Sequence, residues 1–428
     1  MAYFCEKYNN GVELHAVTTE DLVADHINVH FMLPMADKPY GAVIMPKIME
    51  QGCRKYPTRR QMRCRLEALF ASSLWASTAY YGETVGVTFS ASFLKNSIAF
   101  DGCDIMGGVL ELLHDVIFDP LVENGSFNGE YTKTQIKNRC DGIKAIINNK
   151  EHYASVRCAQ LMCRGETVEF TCNTDTSVYE SLTGSDIYGQ YLRMLKYAPV
   201  IIVYAGNDTE RARQFAKSVS DALGDRCVIP YSNKTPIVTP KEIRYFEEEQ
   251  DIKQSHLVIG LRDRTHASDR HLCASAVFEE IFGQSPISRL FRNVRERMSL
   301  CYYCSSCHDD ANGLMYISTG IDAKNRQKAQ DEIFAQLAGM TEQSITKEEL
   351  SCAVKSVKSA RLACLDSAGA IAARCIYRVF FYGEYVSVEQ ELSELDSITA
   401  QDVEAVAKTI TADTVYFMRG TEDDNESD

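Results

Sequence analysis

The chain has 428 residues, of which 45% are hydrophobic and 24% are charged, and its formal net charge is −14. This length predicts two globular domains, the acidic balance excludes the basic surface that nucleic-acid binding requires, and no apolar run could span a bilayer. The first residues show no signal peptide, so we expect a cytoplasmic protein whose sixteen cysteines are reduced thiols, used as small core residues.

The first half of the chain predicts a mixed series of strands and helices. Strands are recognised by alternating apolar residues, and helices by apolar residues three and four positions apart. In chain order the predicted elements are strand 26–33, helix 42–50, helix 58–71, strands 73–77 and 84–90, helices 101–118 and 128–165, and strand 199–205. The helix over 42–50 ends at Gly52, a residue type that commonly follows helices.

The second half repeats the same series. Its elements are strand 255–261, helices 269–282 and 287–298, strands 299–305 and 314–321, helices 324–340 and 346–382, and strand 414–418. Between the halves, residues 228–240 contain three prolines and no helical period, which indicates an extended linker. The sequence therefore predicts an α+β protein with two homologous modules, 1–227 and 241–420, the linker 228–240, and a disordered acidic tail, 421–428.

The segment 285–303 is the most informative part of the second half. Its apolar residues have the spacing of an amphipathic helix: Leu290, Phe291, Val294 and Met298. Arg289 and Arg292 are predicted on the opposite face, with Arg295 at the edge of the apolar stripe. The alternation from Leu300 through Tyr302 begins a strand, so Arg295 and Tyr302 lie on adjacent elements. A guanidinium and a phenol can together bind a peptide carbonyl and stabilise an oxyanion, although a solvated arginine and an ordinary strand tyrosine would show the same pattern.

This block resembles the arginine–tyrosine signature in the C-terminal half of insulinase/pitrilysin metallopeptidases, the inverzincins. The resemblance extends from Asn10 to Phe417 and includes the six residues that separate Arg295 from Tyr302. It implies two metallopeptidase-like modules, each a mostly antiparallel sheet flanked by helices, which form a clamshell around a cavity. It also implies that Arg295 and Tyr302 reach the substrate from the C-terminal module.

The zinc-binding half of that signature is missing. Family members carry H-x-x-E-H on a helix, with histidines on one face and glutamate as the base. Counted back from Gly52, the histidine positions correspond to Val43 and Lys47, and the glutamate position corresponds to Pro46. Valine offers no lone pair, lysine repels a dication and proline cannot act as a base. The third ligand position corresponds either to Glu130 or to its neighbour Tyr131, and a single carboxylate would not retain zinc. We expect no family-type metal site and no cofactor in this chain.

Two other histidine patterns are weaker candidates for metal or haem chemistry. His26 and His30 are four apart in a predicted strand, where they would be too far apart to share an ion, so we expect core or surface histidines. Cys304, Cys307 and His308 match the haem-attachment pattern C-x-x-C-H, but they occur at the end of a predicted strand. A second C-x-x-C pair that does not share Cys304, which a four-cysteine zinc site needs, is missing. Neither pattern supports a cofactor.

A further segment, Trp75, Ala76 and Ser77, is similar to the family strand that pairs with bound peptide. An exposed sheet edge can accept a peptide as an added strand. The alternative interpretation is that Trp75, the only tryptophan, is an ordinary packed aromatic residue.

The resemblance implies a non-catalytic subunit whose Arg295 and Tyr302 serve a zinc-bearing sister subunit in peptide processing. Metalloendopeptidase activity is then expected only of the heterodimer, with zinc in the partner. The alternative is a stand-alone homodimer that keeps the peptidase fold as a peptide-binding or assembly scaffold. An active enzyme with new metal ligands is a third hypothesis, which elemental analysis for zinc would decide. We expect neither nucleic acid nor membrane as a partner.

Overall fold

A computed structural model describes residues 1–233, 236–265, 269, 271–299 and 301–421. The predicted acidic tail from 422 onward and two linker positions, 234 and 235, lie outside the described residues. The chain divides into two compact units. Unit 1 comprises Met1–Lys144, Thr174–Asn233 and Ala363–Val386, and unit 2 comprises Ala145–Asn173, Lys234–Leu362 and Ser387–Asp428.

The strands, numbered in chain order, are β1 (Tyr3–Lys7), β2 (Val12–Thr18), β3 (Ala24–Pro34), β4 (Ser73–Tyr81), β5 (Thr84–Leu94), β6 (Val122–Glu123), β7 (Ser126–Phe127), β8 (Val200–Gly206), β9 (Arg244–Gln250), β10 (Ser255–Asp263), β11 (Cys301–Asp309), β12 (Leu314–Ile321) and β13 (Ile410–Gly420). The α-helices are α1 (Tyr40–Met49), α2 (Arg59–Ala68), α3 (Ile105–Phe118), α4 (Gly129–Ala145), α5 (Lys150–Met162), α6 (Ser177–Glu180), α7 (Gly184–Tyr197), α8 (Thr209–Leu223), α9 (Leu272–Glu279), α10 (Arg326–Glu342), α11 (Lys347–Ala363), α12 (Ala368–Tyr382), α13 (Val388–Ser397) and α14 (Ala400–Ala407). Among these residues, no helix is both long and apolar enough to cross a bilayer.

The two units have sheets of the same topology, which confirms the predicted α+β fold with a repeated, mostly antiparallel module. In unit 1 the strand order is β1-β2-β8-β3-β5-β4, and in unit 2 it is β9-β13-β10-β12-β11. The pair β2–β8 is parallel, as is β9–β13, and every other neighbouring pair of the two sheets is antiparallel. Strand β1 is the one element of the larger sheet without a counterpart, and it forms an edge.

The two long helices predicted over 128–165 and 346–382 are each broken. Short 3₁₀ turns, Ile146–Asn148 and Cys364–Asp366, interrupt them. After each turn a polar side chain caps the next helix, because Asn149 accepts from the amide of His152 and Ser367 from that of Ala370. The chain passes from one unit to the other near these breaks. The compact units are therefore discontinuous in sequence, unlike the contiguous modules 1–227 and 241–420 that were expected.

Each half of the chain thus contributes a helix to the core of the other half's sheet. Helix α5 packs on β10 and β13 of unit 2, where Ala154 and Cys158 are buried against Val258, Tyr416 and Met418. Helix α12 packs on β3 and β8 of unit 1. All sixteen cysteines are free thiols. Seven of them, including Cys158, are buried as expected of core residues, whereas Cys5, Cys64, Cys227 and Cys307 are exposed.

The strand face beneath α12 is polar and buried. His26 Nδ1 is hydrogen-bonded to Ser92 Oγ at 2.7 Å, and its Nε2 to Asn28 Oδ1 at 2.8 Å. His30 Nδ1 is hydrogen-bonded to Thr88 Oγ1 at 2.8 Å. Because each ring is held by polar groups of the sheet, both are core histidines, as expected.

We expect unit 1 to lose stability as the pH falls below about 6.5, because burial lowers the pKa of His30 to about 3 and also lowers the pKa of His26. Between those pH values the unfolded chain binds protons that the folded chain excludes. The free energy of unfolding that is present above the histidine pKa of the unfolded chain is therefore lost as the pH falls. His30 alone lowers it by about 1.4 kcal/mol per pH unit in this range. Urea unfolding between neutral and acidic pH should show a smaller slope for His30→Asn than for the exposed control His152→Asn. Equal slopes would contradict this assignment.

Candidate functional site

The segment that carries the arginine–tyrosine signature contains helical turns that are wider than those of the α-helix predicted over 287–298. Residues Phe291–Arg297 form a π-helix, and the amide of Met298 donates to the carbonyl of Asn293, five residues earlier, at 3.1 Å. Leu290 and Val294 are buried in the core of unit 2, whereas Met298 is exposed. The apolar stripe therefore holds over its centre, and the prediction of a regular α-helix was wrong.

Arg289 is buried, which corrects its predicted position on the solvent face. Its guanidinium donates to both carboxylate oxygens of Glu349, at 2.9 and 3.2 Å, and to the carbonyl of Gly339 at 2.8 Å. Helices α10 and α11, which carry these two acceptors, cover this side of the segment. Arg289 is therefore a structural residue, whereas Arg292 and Arg295 are exposed.

Arg295 is held by an aromatic ring and has no carboxylate within salt-bridge distance among the described residues. Its guanidinium lies over the ring of Phe291, 4.4 Å from the centroid. Such a cation–π contact orients the side chain without neutralising its charge. The five N–H donors of the guanidinium can then bind a ligand oxygen.

Tyr302 projects from a β-bulge. Cys301 pairs with Ile321 and Tyr303 with Gly320, so that Tyr302 is an extra residue without a partner on β12. Bulges of this kind redirect a side chain, and Tyr302 is 66% exposed. A turn with left-handed Ser299 (φ 51°) connects the π-helix to β11, while Leu300 lies outside the described residues. Arg295 and Tyr302 thus lie on adjoining elements of unit 2, and both are exposed.

Helix α1 has neither of the two histidine ligands of the family nor its glutamate base. Val43 is partly buried, and Lys47 is exposed and forms a 3.1 Å ion pair with Glu50. Pro46 lies inside the helix and has no N–H for the carbonyl of Ala42. The hydroxyl of Thr78, on β4, donates to that carbonyl instead, at 3.3 Å. Contacts of Lys47 and Thr78 therefore stabilise this helix, and Val43, Pro46 and Lys47 provide no metal ligand.

Glu130 does not replace the missing ligands. It is exposed in the first turn of α4, where the side chain of Asn128 accepts from its amide at 3.1 Å. The neighbouring Tyr131 donates its hydroxyl to the carbonyl of Pro57 at 3.4 Å. Neither Glu130 nor Tyr131 belongs to a group that could hold a metal ion among the described residues.

Comparisons with known proteins concern the family and the fold of the chain. Residues 181–357 match the family model described as Peptidase M16 inactive domain. The chain is 24% identical to "Probable inactive metalloprotease YmfF" of Bacillus subtilis, over 97% of each chain. Two solved structures share the fold: a conserved protein from Enterococcus faecalis (TM-score 0.89, 22% identity, 98% and 99% covered), and a peptidase M16 inactive domain from Pseudomonas fluorescens (TM-score 0.81, 17% identity, 98% and 99% covered).

The chain is a homologue of the inactive M16 (insulinase) metallopeptidases. The predicted resemblance is confirmed, and the matched inactive-domain model includes Arg295 and Tyr302. As an M16 homologue it differs from the zinc-binding pattern at Val43, Pro46 and Lys47.

The edge strand that resembles the peptide-pairing strand of M16 peptidases has one backbone donor that is already occupied. Trp75 is 37% exposed and contacts the ring of His26, whereas Ala76 is buried and Ser77 partly so. Strand β4 forms the edge of its sheet, and the amide of Ala76 donates to Glu50 Oε2 at 3.0 Å. Glu50, which the sequence analysis did not single out, therefore occupies one of the donors that an added strand would use.

The C-x-x-C-H pattern has the structure of an ordinary strand. Cys304 is buried and Cys307 is exposed, because side chains three residues apart in a strand face opposite sides. The side chain of His308 is buried beside Glu279, with its Nδ1 2.8 Å from Glu279 Oε1. The two thiols do not converge on one point.

Proposed function

We propose that this M16 homologue is the non-catalytic subunit of a peptidase in which a zinc-bearing sister subunit supplies the metal. The observation that carries the proposal is that unit 2 exposes Tyr302, at a bulge, and Arg295, on the preceding element, while helix α1 of unit 1 has no metal ligand at the family positions. An exposed arginine and tyrosine would serve a site that the partner completes. A cytoplasmic location and a peptide substrate belong to the same proposal.

The chemistry divided between the two chains follows from their side chains. The sister subunit would provide the zinc ion, the general base and the attacking water. Arg295 and Tyr302 would donate hydrogen bonds to the substrate carbonyl, whose oxygen becomes negative as water adds to the carbon. Neither role requires Arg295 or Tyr302 to transfer a proton.

A second function, a homodimeric peptide-binding or assembly scaffold, is favoured by one observation. Glu50 already accepts from the amide of Ala76 on the edge strand, so a peptide cannot pair at that position unless Glu50 moves. A scaffold that acts through assembly, without binding peptide at this edge, would tolerate the contact. The two functions differ in partner and in activity, and one experiment separates them.

The test is reconstitution with a zinc-bearing M16 chain encoded in the same genome. Native mass spectrometry should show a one-to-one complex, and fluorogenic peptides should be cleaved by the pair much faster than by either chain alone. The control is the zinc-bearing chain with its H-x-x-E-H glutamate replaced, which should assemble but remain inactive. A stable homodimer that ignores the sister chain would overturn the proposal and support the scaffold.

A further inference from the structure

The hairpin at one edge of the sheet in unit 1 places three metal-ligating side chains together. Cys5 on β1 lies directly opposite His15 on β2, and Glu13 precedes His15 by two residues, so both face the same side of the strand. One ligand atom from each residue lies within 4.8 Å of the others. His15 is buried, Glu13 is partly exposed and Cys5 is exposed, which leaves a path for an ion from solvent.

The distances within this cluster are close to those of a tetrahedral zinc site. His15 Nε2 is 3.3 Å from Glu13 Oε2 and 4.0 Å from Cys5 Sγ. Ordinary zinc bond lengths predict about 3.3 Å between nitrogen and oxygen ligands and about 3.5 Å between nitrogen and sulfur ligands. The sulfur would need to approach the imidazole nitrogen by about half an ångström, a shift that a cysteine on an exposed edge strand can make.

The imidazole is already oriented for metal binding. The hydroxyl of Tyr3 is 2.8 Å from His15 Nδ1, and the ring of Tyr3 stacks on that of Tyr385 with 4.6 Å between centroids. This contact fixes one ring nitrogen and directs the other toward Cys5 and Glu13. Metal-binding histidines are commonly held in this way through their second nitrogen.

The same geometry argues against a catalytic cysteine. In a thiol–imidazole–carboxylate relay, the thiol and the carboxylate contact different nitrogens of the ring. Here Sγ and the carboxylate oxygen both approach Nε2, so the three ligand atoms converge on one point. Three ligand atoms that converge in this way can bind a single metal ion.

We propose that Cys5, Glu13 and His15 bind one Zn²⁺ ion, with water as the fourth ligand. Thiolate and imidazole ligands favour zinc over magnesium or calcium. This site is separate from the degenerate positions on α1 and does not depend on the proposed function. The sequence predicted no metal in this chain, and the present proposal departs from that prediction by adding one ion whose role is to fasten the edge strand β1.

The experiment titrates the full-length chain, stripped with a chelator, with Zn²⁺ in competition with a chromophoric chelator. One equivalent should bind, and the Co²⁺ complex should show a thiolate-to-cobalt charge-transfer band. Cys5→Ser should abolish that band and weaken Zn²⁺ binding at least ~10-fold, because replacing a residue that supports a metal site commonly lowers metal affinity by this much or more. Tyr3→Phe, which keeps the ring but removes the hydroxyl, should weaken binding less than Cys5→Ser does.

Two controls keep the outcome decisive. Cys227→Ser removes another exposed cysteine of unit 1 and should bind Zn²⁺ like the wild type. His308→Asn disrupts the other cluster that could hold an ion, Glu279–His308–Asp310, and should also leave binding unchanged. Unaltered binding by Cys5→Ser, a cobalt complex without the charge-transfer band, or loss confined to His308→Asn would each overturn the proposal.

Discussion

Replacing Asp413 by alanine is expected to lower the free energy of unfolding of unit 2 by about 3 kcal/mol. Asp413 is buried on β13 and accepts from Arg262 Nε at 2.8 Å and from Arg244 Nε at 3.0 Å. Burial alone would raise the pKa of Asp413, but these hydrogen bonds hold it below its ordinary value. The substitution would leave two cations without this shared partner.

The same arginines hold the helix that the first half of the chain contributes to unit 2. Arg244 and Arg262 donate to the carbonyl of Met162 at 2.9 and 3.0 Å, at the C-terminus of α5. Cations at this end of a helix satisfy its last carbonyls and interact favourably with its dipole. Loss of Asp413 should therefore loosen α5 as well as the sheet. Arg262 keeps its ion pair with Glu166, which places the expected cost at the lower end of the range for broken buried pairs.

Chemical denaturation followed by circular dichroism measures the change. The matched control is Glu247→Ala, which removes the more exposed ion pair with Arg326 and should cost less than about 1 kcal/mol. Hydrogen exchange should show faster exchange of the α5 amides in Asp413→Ala. If the two variants lose the same stability, Asp413 does not anchor the helix.

In the reconstituted pair, Arg295→Ala and Tyr302→Phe are each expected to lower kcat by ~10²–10³, the usual cost of removing one oxyanion donor. The reason is that both side chains are exposed hydrogen-bond donors. The charged guanidinium of Arg295 lies over the ring of Phe291, and the hydroxyl of Tyr302 projects from the bulge. Tyr302→Phe removes a single oxygen, so its effect should not come from misfolding.

Matched controls separate catalysis from assembly. Arg292→Ala removes an exposed arginine of the same segment, and Tyr245→Phe removes the hydroxyl of another exposed tyrosine of unit 2. Both should retain nearly the full kcat, and native mass spectra should show intact complexes for all four variants. A rise in KM with unchanged kcat would mean that the pair only binds the substrate, and unchanged activity would refute the role.

The candidate site was only partly predictable because it depends on backbone details. The pairing of a guanidinium with a phenol could be inferred from residue spacing near Arg295 and Tyr302. The bulge that exposes Tyr302 could not, because a bulge is a mismatch between β11 and its neighbour β12. The Cys5–His15 pair was missed for a similar reason: it requires the register of two strands. The turn signal Asn9-Asn10-Gly11, with alternating residues on each side, could have suggested that hairpin.

The sequence by itself determined the main repeated series of strands and helices and the loss of the zinc-binding pattern at Val43, Pro46 and Lys47. These features depend on residue type and local periodicity, which each segment carries alone. The sequence did not predict strands β1, β2 and β9 or helices α7, α8, α13 and α14. Only the tertiary structure decided that the two long helices break and that α5 and α12 each pack in the other half's unit. That choice depends on which sheet can bury a helix's apolar face, and contacts between residues distant in sequence leave no local pattern.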